Sequence, residues 1–83
     1  MTNDQIEKFV TEKLMNSIPV QISFKTRSSI QGIFIKTPDF AELKSKNLWR
    51  IVGESRIKEF QSSKDINLAR IFNGTEITRL GMV

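Results

Sequence analysis

The sequence predicts a mainly β domain, a small barrel of about five bent antiparallel strands preceded by an α-helix. Three features carry this. Apolar residues recur at helical spacing in the first fifteen positions and switch to alternation after Pro19. Gly32 interrupts an otherwise apolar run. The Asn73-Gly74 dipeptide stands between two further apolar runs. A chain of 83 residues builds one core, burying only about 60–65% of the surface its unfolded form exposes. Residues 1–83 are therefore one domain, with 1–16 as the helix and 19–83 as the barrel.

The helix rests on Ile6, Phe9, Val10 and Leu14, which line one face while Glu7, Lys8, Glu12 and Lys13 fill the other. Thr2 with Gln5 fits a capping box, in which hydroxyl and amide each bind the other residue's backbone N–H. The apolar stripe is expected to dock on the barrel. Its mixed charges argue against a helix lying on a membrane. Asn16-Ser17 loosens the chain and Pro19 cannot donate to a ladder, so extended structure begins at Val20.

Val20, Ile22 and Phe24 alternate with Gln21, Ser23 and Lys25 as the first strand, and residues 26–29 form a polar turn. Residues 30–37 are the second strand, with Gly32 marking a bend or a close backbone approach. Because Ile33, Phe34 and Ile35 are consecutive, both faces are covered, as where one strand of a small barrel serves two sheets. Residues 37–39 break the run, and residues 40–46 are too charged and irregular to assign. Residues 48–52 read as the third strand, 53–55 as a turn, and 56–60 as a continuation with Ile57 and Phe60 partly buried. Residues 62–65 are turn-like. Residues 65–72 fit either a strand or a short helix capped by Asp65 and ended near Gly74. The isoleucines and Phe72 favour the strand, with Asn73-Gly74 as a hairpin leading to residues 76–80.

Thirteen Lys and Arg against nine Asp and Glu give a net charge of +4, which favours polyanionic partners. Histidine, cysteine and tyrosine are absent, removing the usual proton shuttle, the most easily activated nucleophile, any disulfide and any thiolate metal site. Asp4, Asp39, Asp65 and six glutamates are scattered without metal-ligand spacing. The expectation is a binding module, not an enzyme, with no cofactor or metal. A signal pattern and a run of about 20 apolar residues are both lacking, so a cytoplasmic protein with no membrane partner is expected. Arg27, Arg50, Arg56 and Arg70 are spread along the chain and form no patch visible in the sequence.

The run Ile18-Pro19-Val20-Gln21-Ile22-Ser23-Phe24, a polar turn, Ile30-Gln31-Gly32 and then Asp39 resembles the first motif of the Sm-like family, which includes Sm, LSm and Hfq proteins. It matches the family's Pro-Val opening strand, bend glycine and loop aspartate. Phe72-Asn73-Gly74 with Ile77 approaches the second motif, with Asn73 where the family has the arginine of its phosphate- and base-binding loop. The Tyr-Lys-His segment of Hfq is absent, and Ala41 and Glu42 stand where an asparagine is expected after Asp39. In an alternative register residues 48–52 and 56–60 are the last two barrel strands and residues 61–83 an addition.

The resemblance covers nearly the whole chain and implies an Sm-like or SH3-like barrel. It further implies a ring-like homo-oligomer, a hexamer or heptamer, that binds single-stranded RNA. Its subunits would meet along residues 70–72 and 77–80, since open strand edges invite pairing. The pore-side loops would be residues 37–47 and 73–76. There Asp39 and Gly74 mark the motifs, Phe40 would stack a base, Lys44 and Lys46 would neutralise phosphates, and Asn47 or Asn73 would read a base edge. The plainer readings are that Phe40 anchors its loop to the core, that Lys44 and Lys46 are solvated, and that Trp49 is core or interface. A structural or protein-interaction module without RNA binding is the alternative function.

Overall fold

A computed structural model describes residues 1–11 and 14–83. The capping box forms as expected: Gln5 N–H donates to the Thr2 hydroxyl at 3.2 Å and Thr2 N–H to the Gln5 side chain at 3.0 Å. It opens α1 (Asn3–Phe9), which is shorter than the expected helix. Ile6 and Val10 from this segment are buried, with Phe9 and Leu14 packed beside them. Glu12 and Lys13 lie outside the described residues. At the end of this segment Asn16 adopts a left-handed φ of 66°, which asparagine tolerates. Its backbone N–H donates to the Phe34 carbonyl at 2.9 Å and its side chain accepts from Lys36 N–H at 3.0 Å, clipping the connection to the second strand.

Among the described residues five strands follow: β1 (Val20–Phe24), β2 (Ile30–Phe34), β3 (Leu48–Gly53), β4 (Arg70–Asn73) and β5 (Ile77–Met82). They form one antiparallel sheet in the order β4-β3-β2-β1-β5. Gly32 sits in the middle, opposite Val20 on one side and Gly53 on the other. A Cβ there would lie 2.7 Å from Ile51 Cγ2 and 3.0 Å from the Val52 carbonyl oxygen, so close approach is what demands glycine. Phe24 on β1 and Phe72 on β4 come within 5.5 Å although two strands separate them, so the sheet curls over its inner face. It does not close. Within the sheet β4 and β5 are the two free edges, and the expected barrel is an open, curled sheet.

The inner face carries Val20, Ile22, Phe34, Trp49, Ile51, Ile77 and Leu80 against Ile6 and Val10. On the outer face Ile33, Ile35 and Val52 pack with Phe60, Ile57 and Leu68. The second cluster corrects the expectation for residues 56–60, which form a helix, α3 (Ile57–Ser63), instead of continuing a strand. Ile57 and Phe60 are three residues apart, and helical geometry turns both to one side while Lys58, Glu59 and Gln61 stay exposed. Lys64, at φ 59°, ends the helix with its N–H on the Phe60 carbonyl at 2.7 Å. The consecutive apolar residues of the second strand are thus covered by α3, not by a second sheet.

Residues 65–72 divide between the two readings. Asp65 caps a 3-10 turn, Ile66–Leu68, by accepting from Asn67 N–H at 3.0 Å, and β4 starts at Arg70. Asn73-Gly74 is not a hairpin. A type I′ turn needs positive φ at both central residues, whereas Asn73 has φ −82° and Gly74 is not positive. A 3-10 turn, Gly74–Glu76, instead carries the chain from one sheet edge to the other. The unassigned residues form a short helix, α2 (Phe40–Ser45). Among the described residues no helix is long and apolar enough to cross a membrane.

Candidate functional site

Of the loop residues singled out by sequence, the fold brings Lys44, Asn47 and Gly74 against the start of α1. Asn47 is their centre. It follows α2 with a left-handed φ of 58°, its Nδ2 donates to the Met1 carbonyl at 2.9 Å, and its Oδ1 accepts from the Trp49 indole N–H at 2.8 Å. Its backbone carbonyl accepts from Gly74 N–H at 2.8 Å. Gly74 is buried, and a Cβ there would come within 2.6 Å of Asn47 Cγ and 2.7 Å of Ile6 Cδ1. The Met1 nitrogen donates to the Gly74 and Ile77 carbonyls at 2.9 and 2.5 Å, closing α1 over the turn.

The other polar candidates are also engaged within the chain. Asn73 accepts from Thr75 N–H at 3.0 Å and from the Thr75 hydroxyl at 2.9 Å. Asp39, at the start of α2, accepts from Arg50 at 2.8 Å and from the Thr37 hydroxyl. The Arg50 hydrogen bond first and the Thr37 hydroxyl second hold the Asp39 carboxyl down at about 2. Arg50 Nε is buried with no partner among the described residues.

Phe40 is half-buried, edge-on to Trp49 at 5.9 Å, which is the place the core-anchor reading gives it. Lys36 and Lys44 each hold their ammonium 5.9 Å from its ring. Lys44 also pairs with Glu7 of α1. Lys46 is exposed and reaches Glu42 at 3.7 Å, a contact worth little at that exposure. Beside this cluster lies an open depression of about 530 Å³ whose lining includes Gln5, Lys25, Lys46, Asn47 and Thr75. Lys25 and Lys46 are the charged side chains among the described residues lining it. Among the described residues no group of three potential metal ligands comes together.

A second concavity, of about 270 Å³, opens between the β1–β2 turn, the end of β3 and β4. Arg27, Arg56 and Arg70 line it with Ser55, Ile30 and Phe72. Sequence reading missed it because 29 and 14 positions separate these arginines, and only the pairing of β4 with β3 brings Arg70 beside the end of β3. No family model, no curated protein and no solved structure matches the chain.

Proposed function

We propose that this chain is a non-enzymatic, cytoplasmic Sm-like module whose copies join edge to edge into a hexameric or heptameric ring that binds single-stranded RNA. The observation that carries this reading is the position of the two expected contact strands. Residues 70–72 and 77–80 fall on β4 and β5, the two free edges of the sheet. Unpaired N–H and C=O groups along such edges favour strand pairing, and pairing one edge with the other of the next copy is a head-to-tail contact that closes when the rotation allows. Ile71 on β4 is 49% exposed and Met82 on β5 is 60% exposed, so the join would also bury apolar surface. Support for RNA comes from the net charge of +4 and from the depression holding Lys25 and Lys46.

Light scattering on the purified protein, with and without a short uridine- or adenine-rich RNA at low and raised salt, tests both parts. A ring-sized particle whose RNA affinity falls steeply with salt is expected, since neutralised phosphates release counterions. A monomer or dimer indifferent to RNA would overturn the reading. A protein-interaction module without RNA binding is the second reading. It is favoured by the engagement of Asn47, Asn73 and Asp39 in internal hydrogen bonds, which leaves few groups to read a base. Capture of a protein partner that persists at raised salt, with no RNA binding, would select it.

A further inference from the structure

Arg27 from the β1–β2 turn, Arg56 from the start of α3 and Arg70 from β4 converge on a single concavity with no Asp or Glu among the described residues lining it. Glu54, the carboxylate nearest in sequence, faces the neighbouring groove beside Ser29 and Gln31. Among the described residues none of the three arginines makes an ion pair or donates a side-chain hydrogen bond. Arg50 is the contrast, being neutralised by Asp39. We propose that this concavity is a phosphate-binding pocket, and the proposal stands whether or not the chain forms rings or binds RNA through its loops.

Like charges gathered in a concave place repel one another, and apolar walls sharpen the field they make. Here Ile30, Ile51, Leu68 and Phe72 supply those walls. A bound phosphate anion relieves the repulsion. Arginine suits that task because it stays charged at any physiological pH and presents a planar fork of donors matching phosphate oxygens. Arg27 is positioned beforehand: its guanidinium carbon lies 5.1 Å from the Phe24 ring centroid and 5.7 Å from that of Phe72. This contact holds the cation without consuming an N–H donor.

The Ser55 hydroxyl adds a further donor, and a volume of about 270 Å³ leaves room for a phosphate and part of the group it esterifies. In the β3–β4 register Arg70 stands opposite Ile51 and Phe72 opposite Trp49. Arg70 therefore belongs to the inner face, so pairing at the β4 backbone edge would leave its side chain free for ligand.

Two sources share this chemistry: a terminal or free phosphate monoester, and the phosphodiester of an RNA strand. Isotope-labelled protein would be titrated at constant ionic strength with inorganic phosphate, with 5′-phosphorylated hexauridylate and with its 5′-hydroxyl counterpart, following amide shifts by NMR. Saturable shifts centred on residues 53–56 and 68–72 are expected. Arg56→Gln and Arg70→Gln should each weaken binding about tenfold or more, as loss of a charged hydrogen bond does, and Arg70→Lys should weaken it less. Arg79→Gln, on β5 away from the pocket, should leave it unchanged. Binding of inorganic phosphate and the 5′-phosphorylated probe alone supports the pocket with a monoester ligand; equal binding of both oligomers there supports it with a phosphodiester. Shifts that do not saturate, or an Arg79→Gln effect equal to that of Arg70→Gln, would overturn the proposal as diffuse charge screening. The same spectra report whether each variant is folded, and shifts at residues 25 and 46–47 report the loop depression separately.

Discussion

Replacing Asn47 with alanine separates a structural amide from a ligand-reading one. The Trp49 indole N–H donates to Asn47 at 2.8 Å, and Trp49 is only 1% exposed. Removing the acceptor strands a buried donor, at a cost of about 1–3 kcal/mol. The backbone adds to this, because φ at position 47 is 58° and a left-handed conformation costs a residue with an ordinary Cβ about 1–2 kcal/mol. The two together come to about 2–5 kcal/mol, set against a total stability of about 5–15 kcal/mol for a domain of this kind. Asn47→Gly loses the same hydrogen bond but accepts the left-handed backbone, so it should be milder than alanine by about 1 kcal/mol. Urea unfolding followed by the fluorescence of the single tryptophan reads both variants. With a slope of about 1 kcal/mol per molar urea, the alanine variant's midpoint should drop by about 2 M or more, and the glycine variant's by about 1 M less. An alanine variant with an unmoved midpoint and lost RNA affinity would refute the reasoning, since the amide would then face a ligand.

Three further outcomes follow from the geometry. Gly32→Ala meets the Val52 carbonyl at 3.0 Å as well as Ile51, and backbone cannot swing aside, so a loss of about 1–3 kcal/mol is expected; a melting temperature equal to the parent's would show that the strands have room to spread. Phe60→Ala should cost about 3–5 kcal/mol, because Phe60 is the buried residue that α3 contributes to the outer cluster; a change below about 1 kcal/mol in denaturant unfolding would mean that α3 is not docked there. The Asp39 carboxyl is lowered from 3.8 to about 2 by Arg50 and Thr37. The folded state therefore binds that proton less readily than the unfolded one, and the stabilisation is complete above about pH 4 and lost as pH falls toward 2. An NMR titration of the carboxyl should place its midpoint near the lower value and Asp39→Asn should remove that part of the acid sensitivity, whereas a midpoint at the ordinary carboxylate value would exclude the Arg50 contact.

Local chemistry was legible where one residue's neighbours decide its conformation. Thr2 and Gln5 announced their capping box, Pro19 the start of β1, and alternation from Val20 to Phe24 its buried face. Gly32 was read as a bend or a close approach, and it is the close approach that is found. Helix α3 was misread because Ile57 and Phe60 sit in a segment too short to display a full helical period, and the β2 side of its partner surface, Ile33 and Ile35, lies more than 20 residues away in sequence. Asn73-Gly74 carried a hairpin signal that tertiary contacts override, since Gly74 is needed for its lack of a side chain against Asn47 and Ile6. The loop site was partly legible: Lys44, Asn47 and Gly74 do gather at α1, but that Asn47 would serve Trp49 and Asp39 would serve Arg50 depends on the placement of β3. The arginine pocket has no sequence signal at all, being assembled from a turn, a helix start and an edge strand.

The strands shared by the two apolar clusters govern how the molecule comes apart. β2 sends Phe34 inward and Ile33 outward, and β3 sends Trp49 and Ile51 inward and Val52 outward. Loosening either cluster removes support from the same two backbones, so the layers are coupled into one cooperative unit. Amide hydrogen exchange should then give Ile33, Phe34, Ile51 and Val52 a common opening free energy close to that of global unfolding, while β4 and β5, each held by one neighbour in the sheet, open earlier. The edges would thus be the most readily remodelled strands of a sheet whose centre moves as a block.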